Sequence, residues 1–209
     1  MADEPEPPRL LFLDACCAIN LLATGVAEEI LGSLPFQVCV TPRVLEKEVL
    51  YVREEPEHAP VEAGVERGES AAGSGSAEQP LHPVRLQPLV DSGALMAGGA
   101  LSEEELETFI SLAFELDDGE AETAAAAIHR GGAVATDDRK AIRVLRDYAP
   151  DVGVQRTSQL IRAWAGAGSL PEERVRGVLS AIERQASFVP PRDDPNRDWW
   201  FKIVGASRR

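Results

Sequence analysis

Short apolar runs alternate with amphipathic segments along most of this chain. Residues 10–13 are four consecutive apolar residues, and they run directly into Asp14. This pattern predicts a buried strand, and the segment that begins at about Ala15 is suited to a helix. Open α/β sheets present their chemistry at the carboxyl ends of such strands. An Asp in this position also suits the N-cap of the next helix, so the pattern leaves both interpretations open.

The segment Gln-Val-Cys-Val at residues 37–40 predicts the second strand. Thr41 and Pro42 follow it, and this pair is typical of a helix N-cap and the first position of a helix. We therefore predict a helix over residues 43–52. Two successive strand–helix units are the start of an α/β pattern.

The alternation resumes in the second half of the chain. Ser102 and Glu105 have the spacing of a capping box, which marks a helix start, and two glycines at 131–132 mark the end of an Ala-rich helix. The predicted strands are 94–97, 133–136 and 152–155, and the predicted helices are 103–116, 120–130, 140–148 and 158–165. The region 10–165 is therefore predicted to form one α/β domain.

Three segments fall outside this pattern. Residues 1–9 are predicted to be a disordered acidic tail, and residues 54–83 lose apolar periodicity, which predicts a flexible insertion in the domain. Residues 166–209 are predicted to be a helical extension, whose apolar helix face we expect to pack on the domain. An aromatic segment at 198–201 either covers the core or contacts a partner.

Composition narrows the functional classes. With 209 residues, 44% of them hydrophobic, the chain can bury the core of one ordinary domain. A formal net charge of −14 argues against a protein that holds nucleic acid by broad electrostatic attraction, but not against a nuclease whose carboxylates are neutralised by metal ions.

The acidic start does not resemble a signal peptide and no apolar run is long enough to cross a membrane, so we expect no membrane partner and a cytoplasmic location. The three cysteines lack zinc or disulfide spacing and are expected to be buried thiols.

Acidic residues recur where the predicted elements meet. Asp14 ends the first strand, Glu48 lies in the helix after the second strand, Glu120 begins the Ala-rich helix, and Asp137 and Asp138 end the strand that follows it. Carboxylates gathered at one edge of a parallel sheet repel one another unless a cation lies between them. Hard divalent cations such as Mg²⁺ and Mn²⁺ suit all-oxygen sites and can activate water against a phosphodiester. The pattern therefore predicts a metal centre.

Helix geometry selects among neighbouring acids. At about 100° per residue, Glu48 falls on the apolar face of its predicted helix and Glu46 falls on the opposite face. Glu120 and Glu122 lie roughly 200° apart, so one site cannot take both, and Glu120 at the helix start is preferred. An acid in a first helical turn can also merely complement the helix dipole, and this alternative stays open for Glu120.

Four segments resemble the motifs of PIN domains, in the order in which that family has them. The segments are residues 11–22, 40–49, 117–126 and 135–141. The resemblance implies a Rossmann-like three-layer α/β/α sandwich with a central parallel sheet. It also implies a metal-dependent endoribonuclease, often the toxin of a toxin–antitoxin pair.

The resemblance further implies the roles of individual residues. By motif match, the metal-binding acids are Asp14, Glu48, Glu120, and Asp138 or Asp137. The implied cofactor is Mg²⁺ or Mn²⁺ and the implied substrate is RNA. An antitoxin or other protein partner and a second copy of the chain, in a homodimer, are the further partners that we consider. Cys16 stands where many members of the family have Ser, Thr or Asn.

Two other functions stay open. A PIN-like scaffold that binds RNA or a protein partner, with weak cleavage or none, is favoured by Cys16 and by the strong negative charge. A phosphotransfer fold also places an Asp after its first strand. Its dehalogenase-like form has a second Asp two residues further on, where this chain has Cys16, and this difference disfavours it.

Overall fold

The computed structural model describes residues 9–47, 50–53, 80–168 and 170–205. Its strands are β1 (Arg9–Leu13), β2 (Phe36–Val40), β3 (Leu50–Arg53), β4 (Leu81–Val84), β5 (Met96–Ala97), β6 (Ala133–Ala135) and β7 (Val154–Gln155). Among the described residues, five of these strands form a parallel sheet in the spatial order β5-β2-β1-β6-β7. The predicted α/β class and parallel central sheet are therefore confirmed.

Helices connect the strands of the sheet and continue after it. They are α1 (Ala15–Leu22), α2 (Ala27–Ser33), α3 (Gln87–Asp91), α4 (Glu103–Leu112), α5 (Asp118–His129), α6 (Arg139–Tyr148), α7 (Thr157–Ala167), α8 (Glu172–Ala181) and α9 (Arg197–Gly205). In the described ranges no helix is by itself long and apolar enough to cross a membrane, and α1 and α2 pass this test only as a pair bent by 117°.

Alternate side chains of β1 pack into two different cores. Leu11 and Leu13 belong to a core that includes residues of α1, α2, α7, α8 and α9, whereas Phe12 belongs to a core that includes residues of α4, α5 and α6. All three side chains are buried. Helices thus cover both faces of the sheet, which gives three layers, α/β/α. Burial on both faces explains why residues 11–13 are apolar without alternation.

The chain order of the strands reverses in the middle of the sheet. β2 and β5 extend the sheet on one side of β1, whereas β6 and β7, which come later in the chain, extend it on the other side. Ligands of open α/β sheets bind outside the carboxyl ends of the strands at such a switch point. Here the switch point lies between β1 and β6, and these strands lead directly to Asp14 and Thr136.

The predicted helix over residues 43–52 is wrong in its second half. A π-helical segment covers Arg43–Lys47, and Leu50–Arg53 forms β3, which pairs antiparallel with β4. Leu50 is buried and Tyr51 is exposed, which is the alternation of a strand with one covered face. Pairing with β4 satisfies the backbone groups of this segment, and the long-range contact outweighs the local helical pattern.

The structure places residues of two segments that were predicted to be irregular, the tail and the insertion, in strands. The predicted insertion of residues 54–83 overlaps the start of β4, and residues 54–79 lie outside the described residues. Arg9, the last residue of the predicted tail, belongs to β1, and residues 1–8 lie outside the described residues.

The C-terminal helices help to complete one of the two cores. The apolar face of α8 is buried in the core that contains Leu11 and Leu13. Trp200 of α9 is fully buried in the same core, and its Nε1 donates a hydrogen bond to Glu183 at 2.9 Å. For Trp200, the structure therefore selects core packing over contact with a partner.

Candidate functional site

Two adjacent strand ends bring predicted acids to one edge of the sheet. Asp14 follows β1, and its backbone N–H donates to the carbonyl of Ala135 in β6 at 3.0 Å. Thr136, Asp137 and Asp138 follow β6 directly. Asp14 and Asp138 are also the N-cap residues of α1 and α6. Each of these two carboxylates is therefore fixed between a strand and the helix that follows it.

Asp14 caps α1, as one interpretation of the sequence expects, but capping is only part of its environment. Oδ1 accepts a hydrogen bond from the N–H of Ala15 at 2.8 Å. Oδ2 accepts from Thr136 Oγ1 at 2.9 Å and from Cys16 Sγ at 3.1 Å. Asp14 is only 4% exposed, and burial raises the pKa of its carboxyl despite these hydrogen bonds. A surface cap would not carry this desolvation cost.

The start of α5 brings two more carboxylates to this edge. Glu120 N donates to Asp117 Oδ1 at 2.8 Å, and Asp117 N donates to Glu120 Oε2 at 3.2 Å, which together form a capping box. The pKa of Glu120 is raised to about 7, first by burial and then by nearby negative charges. These charges belong to Asp117, Asp138 and Asp14. We call Asp14, Asp117, Glu120 and Asp138 the acidic cluster.

Thr136 links the two strand-end carboxylates of the acidic cluster. Its Oγ1 donates to Asp14 Oδ2 and accepts from the N–H of Asp138 at 3.2 Å. Asp138 caps α6 through Oδ1, which accepts from Lys140 N at 2.7 Å and from Ala141 N at 2.8 Å. Its Oδ2 takes no hydrogen bond from the part of the chain that the structure describes. That oxygen is therefore available to a ligand.

Asp137 has a different set of partners. Oδ2 accepts from Thr157 Oγ1 at 2.5 Å, Asn20 Nδ2 at 3.0 Å and Cys17 Sγ at 3.4 Å, and Oδ1 accepts from Thr157 N at 3.1 Å. We call Asp137, Thr157, Asn20 and Cys17 the Asp137 network. Burial raises the pKa of Asp137, and the hydrogen bonds offset part of this effect. Both oxygens of Asp137 are engaged, and this distinguishes it from Asp138.

Cys16 lies between the acidic cluster and the Asp137 network. Its Sγ donates to Asp14 Oδ2 and accepts from the N–H of Asp137 at 3.3 Å. Within the described ranges, Cys16, Cys17 and Asp137 form a group whose donor atoms lie within 4.8 Å of one another, and Asp14, Glu120 and Asp138 are not part of it. Burial raises the pKa of the Cys17 thiol well above its usual range, which opposes the thiolate that a metal needs. The hydrogen bonds to Asp137 already occupy its carboxylate, so this group is better explained as an internal hydrogen-bond network.

Glu122 is engaged by an ion pair. Arg43 Nε donates to Glu122 Oε2 at 3.0 Å, and the backbone N–H of Arg43 donates to Glu122 Oε1 at 3.3 Å. The charge of Glu122 is therefore compensated, which supports the choice of Glu120 over Glu122. Glu46 is exposed on the π-helical segment, and Glu48 lies outside the described residues.

Two members of the site were not predicted from the sequence. Asp117 stands three residues before Glu120, and this capping-box spacing is the same signal that marked Ser102 and Glu105. Thr136 had a weaker signal, since a hydroxyl residue at the end of an apolar run is common. Its role follows only from the approach of β1 to β6.

The donors of the acidic cluster fit a hard divalent cation. All four are carboxylates, and the charges of Asp14, Asp117 and Asp138 act on Glu120. Mg²⁺ and Mn²⁺ prefer oxygen ligands.

A comparison with known proteins gave no match to a family model, a curated protein or a solved structure.

Proposed function

We propose that this protein is a metal-dependent endoribonuclease of the PIN-domain type, in which Asp14, Glu120 and Asp138 hold Mg²⁺ or Mn²⁺. Glu48 is the fourth acid that the resemblance implies. The observation that carries the proposal is the position of Asp14 and Asp138 at the ends of adjacent strands, where Thr136 links them. Their negative charges act on Glu120 at the start of α5, and burial and these charges raise its pKa to about 7. Perturbed carboxylates gathered at the switch point of an α/β sheet are typical of functional sites.

A bound divalent cation would offset the repulsion within the acidic cluster, polarise a phosphodiester and lower the pKa of water. The residues of the chain would bind the cation and hold its carboxylate ligands in position. Thr136 holds Asp14 Oδ2 and the backbone of Asp138 in a fixed relation, so two ligands are positioned in advance. Because burial and neighbouring charges raise the pKa of Glu120 to about 7, this carboxyl would release a proton on binding a cation near neutral pH.

The substrate and the biological role rest on the resemblance alone. RNA as the substrate comes from the four segments that resemble PIN-domain motifs. The role as a toxin, the antitoxin partner, the homodimer and the cytoplasmic location remain predictions.

A second candidate function is a PIN-like scaffold that binds RNA or a protein partner and cleaves weakly or not at all. The environment of Asp14 favours it, because both carboxylate oxygens already accept hydrogen bonds from the chain. A cation has to compete with Cys16 and Thr136 for Oδ2, which would weaken its binding.

Two measurements test the proposal: cleavage of a mixed RNA substrate with Mn²⁺, and the melting temperature with and without Mn²⁺. We expect the parent protein to cleave and to melt higher with Mn²⁺. Asp14→Asn should lower cleavage by at least about 100-fold, as expected for loss of a charged ligand at a metal site. It should also gain little stability from Mn²⁺.

The same variant controls for loss of the fold. Asn caps helices about as well as Asp, and removal of one charge relieves repulsion, so metal-free Asp14→Asn should melt at the same temperature as the parent or higher. A parent protein that neither cleaves nor responds to any divalent ion contradicts the nuclease and favours the scaffold. Equal cleavage by the parent and by Asp14→Asn would mean that the site lies elsewhere.

A further inference from the structure

A stripe of basic residues runs along the exposed face of α6. Its members are Arg139, Lys140, Arg143 and Arg146, all of which are exposed. The opposite face is buried through Ala141, Ile142, Val144 and Leu145. At about 100° and 1.5 Å per residue, the four basic side chains cover roughly a third of the helix circumference and about 10 Å of its length. We call these four residues the basic stripe.

The basic stripe differs from the arginines of the chain that form ion pairs. Five other arginines form ion pairs with carboxylates: Arg43, Arg130, Arg156, Arg174 and Arg176. No member of the basic stripe forms an ion pair with a described residue, although Arg139 contributes to the charge environment of Asp193. The exposed face of α6 also contains the carboxylate of Asp147, so four cations and one anion leave this face net positive in a chain with a formal net charge of −14.

The start of α6 also departs from the usual placement of charges on a helix. The partial positive charge at a helix N-terminus favours acidic residues in the first turn and disfavours basic ones. The helices α2, α4, α5 and α8 follow this rule with acidic residues in the first turn. In α6 the first turn contains Arg139 and Lys140 and no acidic residue. These cations do not serve the stability of their own helix, and local departures of this kind are expected at functional sites.

We propose that the basic stripe binds the sugar–phosphate backbone of RNA and guides it to the acidic cluster. This inference rests on the proposed nuclease function. The stripe begins at the residue after Asp138, so its first member is one residue from a carboxylate that would hold the cation. A length of about 10 Å accommodates two or three successive phosphates at a spacing of roughly 3.4 Å or more. Arginine matches phosphate oxygens through paired N–H donors.

The stripe also reconciles the acidic composition with a polyanionic substrate. Attraction along one helix face is sufficient to orient the RNA, even though the rest of the surface repels it. Contacts to phosphates carry no sequence information. Binding through the stripe is therefore expected to be independent of base sequence, and any sequence preference has to come from other residues.

The experiment measures binding of a labelled single-stranded RNA by fluorescence anisotropy at several salt concentrations. The full chain is used with Ca²⁺ in place of Mg²⁺, so that binding is observed without relying on cleavage. The test variant is Arg143→Gln with Arg146→Gln, because both residues lie beyond the first turn of α6. The matched control is Arg9→Gln with Arg85→Gln, which removes the same charge from two exposed arginines. Arg9 lies at the amino end of β1, the opposite edge of the sheet.

We expect the stripe variant to bind about tenfold more weakly and its salt slope to fall by about 1.4, the value for two lost phosphate contacts on a single strand. Arg143→Lys with Arg146→Lys keeps the charge and should keep most of the slope. Equal losses in the stripe variant and the matched control would overturn the proposal, and so would an unchanged stripe variant. Displacement of the RNA by polyglutamate at equal charge concentration would also overturn it, in favour of a surface for acidic proteins.

The outcome separates this inference from the nuclease proposal. If the parent binds RNA through the stripe but cleaves nothing with Mn²⁺, the stripe is supported and the nuclease is contradicted. If the parent cleaves and the stripe variant binds as well as the parent, the nuclease is supported and the stripe is contradicted.

Discussion

Asp137 and Asp138 are neighbours in the chain, yet they belong to two regions with opposite electrostatic character. In the Asp137 network, a half-buried carboxylate accepts hydrogen bonds from α1 and α7, and these bonds counteract the cost of desolvation. In the acidic cluster, burial is combined with like charges, and the pKa of Glu120 rises to about 7. The two regions lie at the same edge of the sheet and share Cys16 as a contact.

The difference shows that a buried acid with a raised pKa does not by itself indicate a functional site. The pKa of Asp14 and that of Asp137 are both raised by burial. The two regions differ in which groups compensate the negative charge of the carboxylates. Donors of α1 and α7 offset the charge of Asp137, whereas the charges of Asp14, Asp117 and Asp138 act on Glu120, where a cation would offset them.

The largest effect is expected from removal of the Asp137 carboxylate. Asp137→Ala removes the acceptor of Thr157 N and the nearer acceptor of Asn20 Nδ2 and of Thr157 Oγ1, and Asn20 and Thr157 are themselves buried. Hydrogen bonds to charged groups contribute about 1.5–3 kcal/mol each, so we expect the free energy of unfolding to fall by about 3–4 kcal/mol. Urea denaturation should give the same loss with and without Mn²⁺.

Asp138→Asn tests the neighbouring carboxylate, which belongs to the acidic cluster. It keeps the helix cap and should change the free energy of unfolding by less than about 0.5 kcal/mol without metal. Its stabilisation by Mn²⁺ should be reduced. If instead Asp138→Asn proved as destabilising as Asp137→Ala, the distinction between the two regions would be lost.

An intermediate effect that depends on pH is expected at Glu120. Its pKa is raised from 4.5 to about 7 in the folded protein, so the folded state binds the proton more tightly than the unfolded chain. The resulting stabilisation is complete below about pH 4.5 and is lost as the pH rises through about 7. Without metal, Glu120→Gln should therefore be more stable than the parent at pH 8 by about 1–2 kcal/mol after allowance for solvent screening. At pH 4 the two proteins should be nearly equal.

Glu122→Gln is a control on the same helix that should change the free energy of unfolding in the opposite direction. It breaks the ion pair with Arg43, so it should lower the free energy of unfolding at pH 8 by about 1–3 kcal/mol. Thermal melts of the parent and both variants at pH 4 and pH 8, with EDTA, measure both predictions. A destabilised Glu120→Gln variant at pH 8 would show that the charge of Glu120 is compensated in the folded protein.

The smallest effect is expected at Cys16, which contacts both regions. Serine can make the same hydrogen bonds as this thiol, so Cys16→Ser should change the free energy of unfolding by less than about 0.5 kcal/mol. Cys16→Ala loses both contacts and should cost about 1 kcal/mol. Urea denaturation of the two variants side by side checks this. Equal costs would show that packing of the side chain, and not its hydrogen bonds, matters at this position.

The parts of the fold that depend on local pattern were predictable. The apolar run of β1, the capping box at Ser102 and the helix end at Gly131 all encode structure over a few residues, and the structure contains each of them. β3 was not predictable in this way. Its residues fit an amphipathic helix locally, and only pairing with β4, on the far side of residues 54–79, makes them a strand.

The candidate site was also only partly predictable from local sequence. The sequence indicated that acids follow β1 and β6, but it did not distinguish Asp137 from Asp138. Adjacent residues at a strand end point in different directions, and the partners of Asp137 come from α1 and α7. Asn20 is an example: it could be read as a polar residue at a helix end, yet it is buried and donates to Asp137.

Trp200 joins the first strand and the last described helix in one core. The same core contains Leu11 and Leu13 of the first strand and Trp200 and Val204 of the last helix. During translation, the N-terminal strand is therefore synthesised long before the aromatic side chain that completes its packing. Such contacts between distant parts of a chain slow folding, because a large loop has to close first. In a nascent chain, the core on this face of the sheet therefore lacks Trp200 and Val204 until α9 has been synthesised.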